Sequence, residues 1–85
     1  MTERIERMLA RMSEFGFTHA LVQKPQNMRF LTGYTGEGSL LVSAKGAVIL
    51  TDFRYVEQAG RQAPEAKVVQ YGSGMKPYEL IRDLL

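Results

Sequence analysis

Six side chains stand where loops or helix starts put polar groups to use: Asn27, Arg29, Tyr34, Asp52, Arg54 and Tyr55. Three of them crowd one stretch, Thr51-Asp52-Phe53-Arg54-Tyr55-Val56-Glu57-Gln58-Ala59. An apolar run, Ala47-Val48-Ile49-Leu50, leads into it and reads as a buried strand, and a helical pattern follows. An acid, a guanidinium and a phenol thus share a strand-to-helix junction. Asp52 suits the N-cap of that helix, because its carboxylate can accept from the free N–H groups of the first turn. It also complements the positive end of the helix dipole. Beyond capping, Asp52 and Arg54 can close on each other as an ion pair that fixes the turn. Arg54 can instead offer its planar fork to a ligand carboxylate or to an acid across an interface. The plainest reading has Asp52 capping, Arg54 in solvent and Tyr55 packed.

These residue types suit recognition of a polar or charged ligand better than bond-breaking. Ser13, Ser39, Ser43 and Ser73 lack the strand–turn–helix context of a nucleophile elbow. His19 is the sole histidine, and no acid stands at ligand spacing from it, so it is not expected to bind metal. The chain has no cysteine, which excludes disulfides, thiolate zinc sites and thiol catalysis within it. No catalytic and no metal-ligating residue is assigned.

The elements that must position the six follow from periodicity. Ile5, Met8, Leu9, Met12 and Phe15 make one apolar stripe of a first helix, which Thr2 can cap and Gly16 ends. Phe17–Gln23 reads as a strand with Ala20-Leu21-Val22 as its buried centre. Pro25 opens a short helix to about Thr32, with Met28 and Leu31 turned inward together. Gly33, Gly36 and Gly38 form a flexible, close-approach segment. It is no dinucleotide fingerprint, because it follows a helix and precedes a strand. Ser39–Ser43 and Ala47–Thr51 form a hairpin about the loop Ala44-Lys45-Gly46. The helix after Asp52 runs to about Ala63, where Pro64 stops it, and Val56, Ala59, Gly60 and Ala63 give it a narrow small-residue face. Ala66–Tyr71 is a further strand, Gly72-Ser73-Gly74 a loop, and Pro77 starts a last helix with Leu80, Ile81, Leu84 and Leu85 on one side. The order predicts an α/β domain with a mixed sheet flanked by helices.

The 85 residues suffice for one domain, and 45% apolar with 24% charged residues is ordinary for a folded one. The net charge of +2 is scattered, Arg4, Arg7 and Arg11 alternating with Glu3, Glu6 and Glu14. A nucleic-acid footprint would be a clustered stripe, so no nucleic-acid partner is expected. No apolar run nears the ~20 residues of a membrane span and no signal peptide is visible, so the expectation is a cytoplasmic protein without a membrane partner. The chain stops at Leu84-Leu85 inside an apolar stripe, which reads as the front part of something longer.

Two segments carry a family resemblance. Asn27-Met28-Arg29-Phe30-Leu31-Thr32-Gly33-Tyr34-Thr35-Gly36 resembles the Asn-x-x-Tyr-Leu-Thr-Gly-Phe segment of Xaa-Pro peptidases, the prolidases and aminopeptidases P of the creatinase-like metallopeptidase family. Thr51–Ala59 resembles their Thr-Asp-x-Arg-Tyr-x-x-Gln-Ala segment. The likeness spans roughly Arg4 to Tyr71. Lys24 departs from the small capping residue usual there. Phe30 and Tyr34 interchange the usual Tyr and Phe, and Phe30 thereby lacks a hydroxyl with which to bond substrate.

The resemblance implies a creatinase N-terminal domain of ribonuclease H-like layout, occupying residues 1–85 and cut short at its C-terminal end. It implies a separate "pita-bread" catalytic domain holding two divalent metal ions, manganese, cobalt or zinc, on two Asp, one His and two Glu, none of which maps here. It also implies a homodimer and short proline-containing peptides as substrates. This domain would serve dimerisation and shape the active-site entrance, with Asn27, Tyr34, Asp52, Arg54 and Tyr55 as entrance, interface or structural candidates. The same domain in a non-peptidase relative, or a stand-alone interaction module, is the alternative.

Overall fold

The computed structural model describes residues 3–71. The expected Thr2 cap, the loop Gly72-Ser73-Gly74 and the helix from Pro77 lie outside the described residues. Within them the order is α1 (Glu3–Glu14), β1 (His19–Val22), α2 (Pro25–Thr32), β2 (Ser39–Ser43), β3 (Gly46–Thr51), α3 (Val56–Gln62) and β4 (Lys67–Gln70).

Helix α1 carries Glu3 and Glu6 in its first turn and Arg11 in its last, the arrangement the helix dipole favours. It ends in a Schellman motif. Gly16 takes φ +79°, its N–H donates to the Ser13 carbonyl at 3.1 Å, and the Phe17 N–H donates to the Met12 carbonyl at 2.8 Å. Of the expected stripe, Ile5 and Met12 are buried and Met8 and Leu9 pack beside them. Phe15 departs from it, standing 66% exposed, because it lies in the turn just past the helix end. Helix α2 starts on Pro25, which forgoes only an N–H that would be unpaired anyway. It closes at Gly33, left-handed at φ +86°, and buries Met28 and Leu31.

The strands form one sheet in the order β1-β2-β3-β4. β1 with β2 and β2 with β3 pair antiparallel, and β4 lies parallel to β3 after the crossover through α3. Ser43 pairs with Gly46, so the β2–β3 connection is Ala44-Lys45 alone. Gly46, expected in the loop, opens β3 instead. The register lines Ala20, Val22, Leu40, Val42, Ala47, Ile49 and Val68 along one face, where they pack with the α1, α2 and α3 residues as a single core.

The opposite face carries Leu21, Leu41, Val48, Leu50 and Val69. Leu21 is therefore not part of a buried strand centre: period-two alternation turns it away from the core, and it is 44% exposed. In α3, Ala59 and Ala63 let the helix lie close to the sheet, whereas Gly60 points outward with open space beside it. The small-residue face is narrower than expected for that reason.

Candidate functional site

The site begins with the loop between α2 and β2. Tyr34 is fully buried, and its hydroxyl donates to the backbone carbonyl of Glu37. The Thr51 hydroxyl, at the end of β3, donates to the same carbonyl at 2.7 Å and lies 3.1 Å from the Tyr34 hydroxyl. Residues from the two resembling segments thus converge on one backbone carbonyl. Burial pushes the Tyr34 phenol above its ordinary value, against the opposite pull of the Thr51 hydrogen bond.

The glycines serve close approach. A Cβ on Gly36 would lie 2.5 Å from the Tyr34 hydroxyl oxygen, and one on Gly38 would lie 2.3 Å from the Leu50 carbonyl oxygen. Between these contacts, Thr35 is held to α3. Its N–H donates to Gln62 Oε1 at 2.9 Å, and Gln58 Nε2 donates to its hydroxyl oxygen at 3.1 Å.

The strand-to-helix junction departs from the expected cap. The α3 helix starts at Val56, with Tyr55 in the N-cap position and no side-chain cap. Asp52 lies too far upstream to reach the first-turn donors, because a turn closed by the Tyr55 N–H on the Asp52 carbonyl, at 3.1 Å, intervenes. The Asp52 carboxylate holds that turn instead. Its Oδ1 accepts from the Arg54 N–H at 2.9 Å, and its Oδ2 accepts from Arg54 Nη2 at 2.7 Å. The Arg54 hydrogen bond holds the Asp52 carboxyl below the usual carboxylate range, and Asp52 in turn raises the Arg54 guanidinium. The mutual ion pair that the sequence allowed is formed.

Arg54 remains 60% exposed. Its Nη2 stands 4.0 Å from the Glu37 carboxylate, and its guanidinium lies 5.4 Å from the centre of the Tyr55 ring. Phe53 beside it is 73% exposed.

Arg54, Asp52 and Tyr55 therefore share one rim, and Tyr34 lies beneath it. Asn27 stands apart, exposed on the first turn of α2. Arg29 is also exposed, beside Arg4 and Phe30. Between α2, the loop and α3 lies a cleft of roughly 500 Å³ lined by Pro25, Met28, Thr35, Glu37, Tyr55 and Gln58.

Glu37, Gln58 and Gln62 were not picked out as site residues from sequence. The four-residue spacing of Gln58 and Gln62, which puts both amides on one helix face, was the available signal. The arrangement offers a fixed guanidinium, carboxylates and side-chain amides: groups that recognise, with no nucleophile–base pair among them. Among the described residues no three His, Asp or Glu gather closely enough to hold a metal ion. They do not fit a two-metal centre, and no metal-dependent step is assigned to them. No helix among them is long and apolar enough to cross a membrane.

Comparison with known proteins agrees with this fold. Residues 4–85 match the Creatinase/Prolidase N-terminal domain. The chain is 30% identical over 73 residues to the uncharacterized peptidase YqhT of Bacillus subtilis, covering 85% of this chain and 21% of that protein. It superposes on a Xaa-Pro dipeptidase from Bacillus anthracis with a TM-score of 0.84 at 36% identity, over 96% of this chain and 23% of that one. On the N-terminal domain of the cytoplasmic peptidase PepQ from Mycobacterium tuberculosis the TM-score is 0.79 at 34% identity, over 84% and 57%. The chain thus spans about a fifth of the curated relative it matches. With residues 4–85 matched and this mixed-sheet fold shared, the chain belongs to the Creatinase/Prolidase N-terminal domain family, a domain of Xaa-Pro peptidase-family proteins.

Proposed function

We propose that this chain is the non-catalytic N-terminal domain of a cytoplasmic Xaa-Pro dipeptidase or aminopeptidase P, where it serves dimerisation and shapes the entrance to the active site. The catalytic work would fall to a following domain, which would hold two divalent metal ions, manganese, cobalt or zinc, supplying Lewis-acid chemistry for amide hydrolysis. The observation that carries the reading is the Asp52-anchored Arg54 beside the exposed Phe53, in a chain of this family. A guanidinium already oriented by one carboxylate loses little freedom when it meets another, and Arg and aromatic residues dominate interface energetics. Arg54 faces the carboxylate of a short proline-containing peptide or an acid of the partner subunit. Asp52 and Tyr55 complete the rim, and Asn27, exposed on α2 apart from them, is a separate candidate contact.

The reading frame beyond the codon for Leu85 gives the first test. It should encode Asp, Asp, His, Glu and Glu in that order. An immediate stop would overturn the peptidase reading in favour of an interaction module, and a downstream domain without those ligands would point to a non-peptidase relative. In the full enzyme, Arg54→Ala should raise KM for Xaa-Pro dipeptides or weaken the dimer. The 85-residue chain with manganese should show no turnover of an Xaa-Pro dipeptide, and turnover above blank would refute the assignment.

A further inference from the structure

Tyr34 and Thr51 lie 17 positions apart, yet their hydroxyls are 3.1 Å apart and both donate to one acceptor, the Glu37 carbonyl. Both side chains are fully buried, so neither hydroxyl can meet a ligand directly. What they hold is exposed. Glu37 presents its carboxylate to solvent beside Arg54, and Thr35, two residues earlier, stands against the Gln58 and Gln62 amides. Gly36, between those two, has its Cα against the Tyr34 ring, and Gly38 closes on the Leu50 carbonyl.

We infer that Tyr34 and Thr51 are positioning residues: their paired hydroxyls clamp the Glu37 main chain and so hold residues 35–38 as a preformed lip of the cleft, facing the Asp52–Arg54 turn. For Tyr34, which the family resemblance left open as an entrance, interface or structural candidate, this is a supporting place beneath the rim. It goes beyond the entrance-domain reading and does not depend on it, because the clamp is a property of this chain by itself. The physical reason for a shared acceptor is that a carbonyl oxygen has two lone pairs, while a buried hydroxyl left unpaired is costly. With both filled, Glu37 is fixed from two elements at once, the loop and the end of β3. A ligand or partner that meets the lip then pays no loop-ordering cost.

Backbone order parameters measured by NMR on the 85-residue chain test this. In the parent, Gly36, Glu37 and Gly38 should read near 0.85, the value of a rigid backbone. Thr51→Val keeps the shape of the side chain and removes its hydroxyl. It should drop these residues below about 0.6 while the β2–β3 ladder stays rigid. Thr51→Ser, which restores a hydroxyl, should return the loop to the parent values. A general packing role would not give this rescue, since serine lacks the methyl that valine keeps. Tyr34→Phe removes the other hydroxyl and should loosen the same three residues, and it serves as the reading if Thr51→Val does not fold. A loop as rigid in Thr51→Val or Tyr34→Phe as in the parent, or one as loose in Thr51→Ser as in Thr51→Val, overturns the inference. None of these outcomes bears on peptidase activity, so failure here and failure of the entrance-domain reading are separate results.

Discussion

Gly36→Ala should be among the most damaging single-methyl changes in this chain. The new Cβ would sit 2.5 Å from the Tyr34 hydroxyl oxygen, 2.7 Å from Cζ and 2.8 Å from Cε1. Ordinary carbon contacts lie near 3.5–4.0 Å, so the ring must retreat by about 1 Å. It has nowhere to go: Tyr34 is fully buried, and its hydroxyl is tied to Glu37 and Thr51. Overpacking of this kind costs about 1–3 kcal/mol. A hydroxyl bond lost as the ring moves adds about 1 kcal/mol. Against this, alanine narrows the unfolded ensemble and returns about 0.4–1 kcal/mol. The net is a destabilisation of roughly 1–3.5 kcal/mol, set against roughly 4–13 kcal/mol of total stability for a domain of this size.

Gly60→Ala is the control, and its sign is opposite. Gly60 lies within α3 with nothing near its Cβ position, so alanine should gain roughly 0.5–1 kcal/mol of helix propensity without a clash. The assay is urea unfolding of both variants. With a slope of about 1 kcal/mol/M, Gly36→Ala should lower the midpoint by roughly 1–3.5 M and Gly60→Ala should raise it by roughly 0.5–1 M. A Gly36→Ala midpoint within about 0.5 M of the parent would show that the loop does not pack on Tyr34 as described. A lowered midpoint for Gly60→Ala would contradict the outward placement of that residue.

Acid titration should report on the Asp52–Arg54 pair. The folded value of Asp52 is depressed by Arg54, so its stabilising contribution is complete above the unfolded value of about 3.9 and is lost as pH falls through the lower folded one. Asp52→Asn should flatten that part of the urea-midpoint-against-pH curve, and an unchanged acid limb would count against the ion pair. The alkaline limb runs the other way: the Tyr34 phenol is raised, so its contribution is complete below about pH 10 and is lost as pH rises through the folded value. Ultraviolet titration should show a late-ionising phenol, and Tyr34→Phe should abolish that late step. In the core, Met28→Ala should cost about 2–5 kcal/mol by calorimetry, whereas Asn27→Ala beside it, exposed, should stay within about 0.5 kcal/mol.

Much of the fold was legible because local chemistry and burial agree. Pro25 and Gly33 bracket α2, Gly16 ends α1, and the inward pair Met28 and Leu31 follows from helical spacing alone. The misreadings share a cause. Phe15 and Leu21 are apolar and in phase with their elements, but the Schellman turn carries one past the helix and alternation turns the other to the second sheet face. Hydrophobicity identifies residues suited to burial without saying which side of a sheet will be covered. Asp52 illustrates a different limit. Cap propensity marks a turn residue correctly, yet whether the helix starts at once or three residues later depends on the Tyr55–Asp52 turn. The site was legible as two segments but not as one object. Glu37 contributes through its backbone carbonyl, which every residue type possesses, so no side-chain pattern could point to it.

The two segments divide the same labour. In each, some residues turn inward to build the junction: Met28, Tyr34 and Gly36 in the first, Thr51 and Ala59 in the second. Others turn outward: Asn27 and Arg29 in the first, Phe53 and Arg54 in the second. The inward sets touch each other through the Tyr34–Thr51 contact, which a shift of one residue in the β2–β3 register would break by sending Thr51 to the opposite sheet face. The outward sets make no comparable contact, since Asp52 anchors Arg54 within its own turn. Fold and recognition are thus written into the same segments but onto different faces. A protein that kept the inward residues and exchanged the outward ones would keep this loop and this sheet while presenting a different rim. The outward residues, Arg54 first among them, are therefore where differences in partner or substrate between proteins of this fold should be sought.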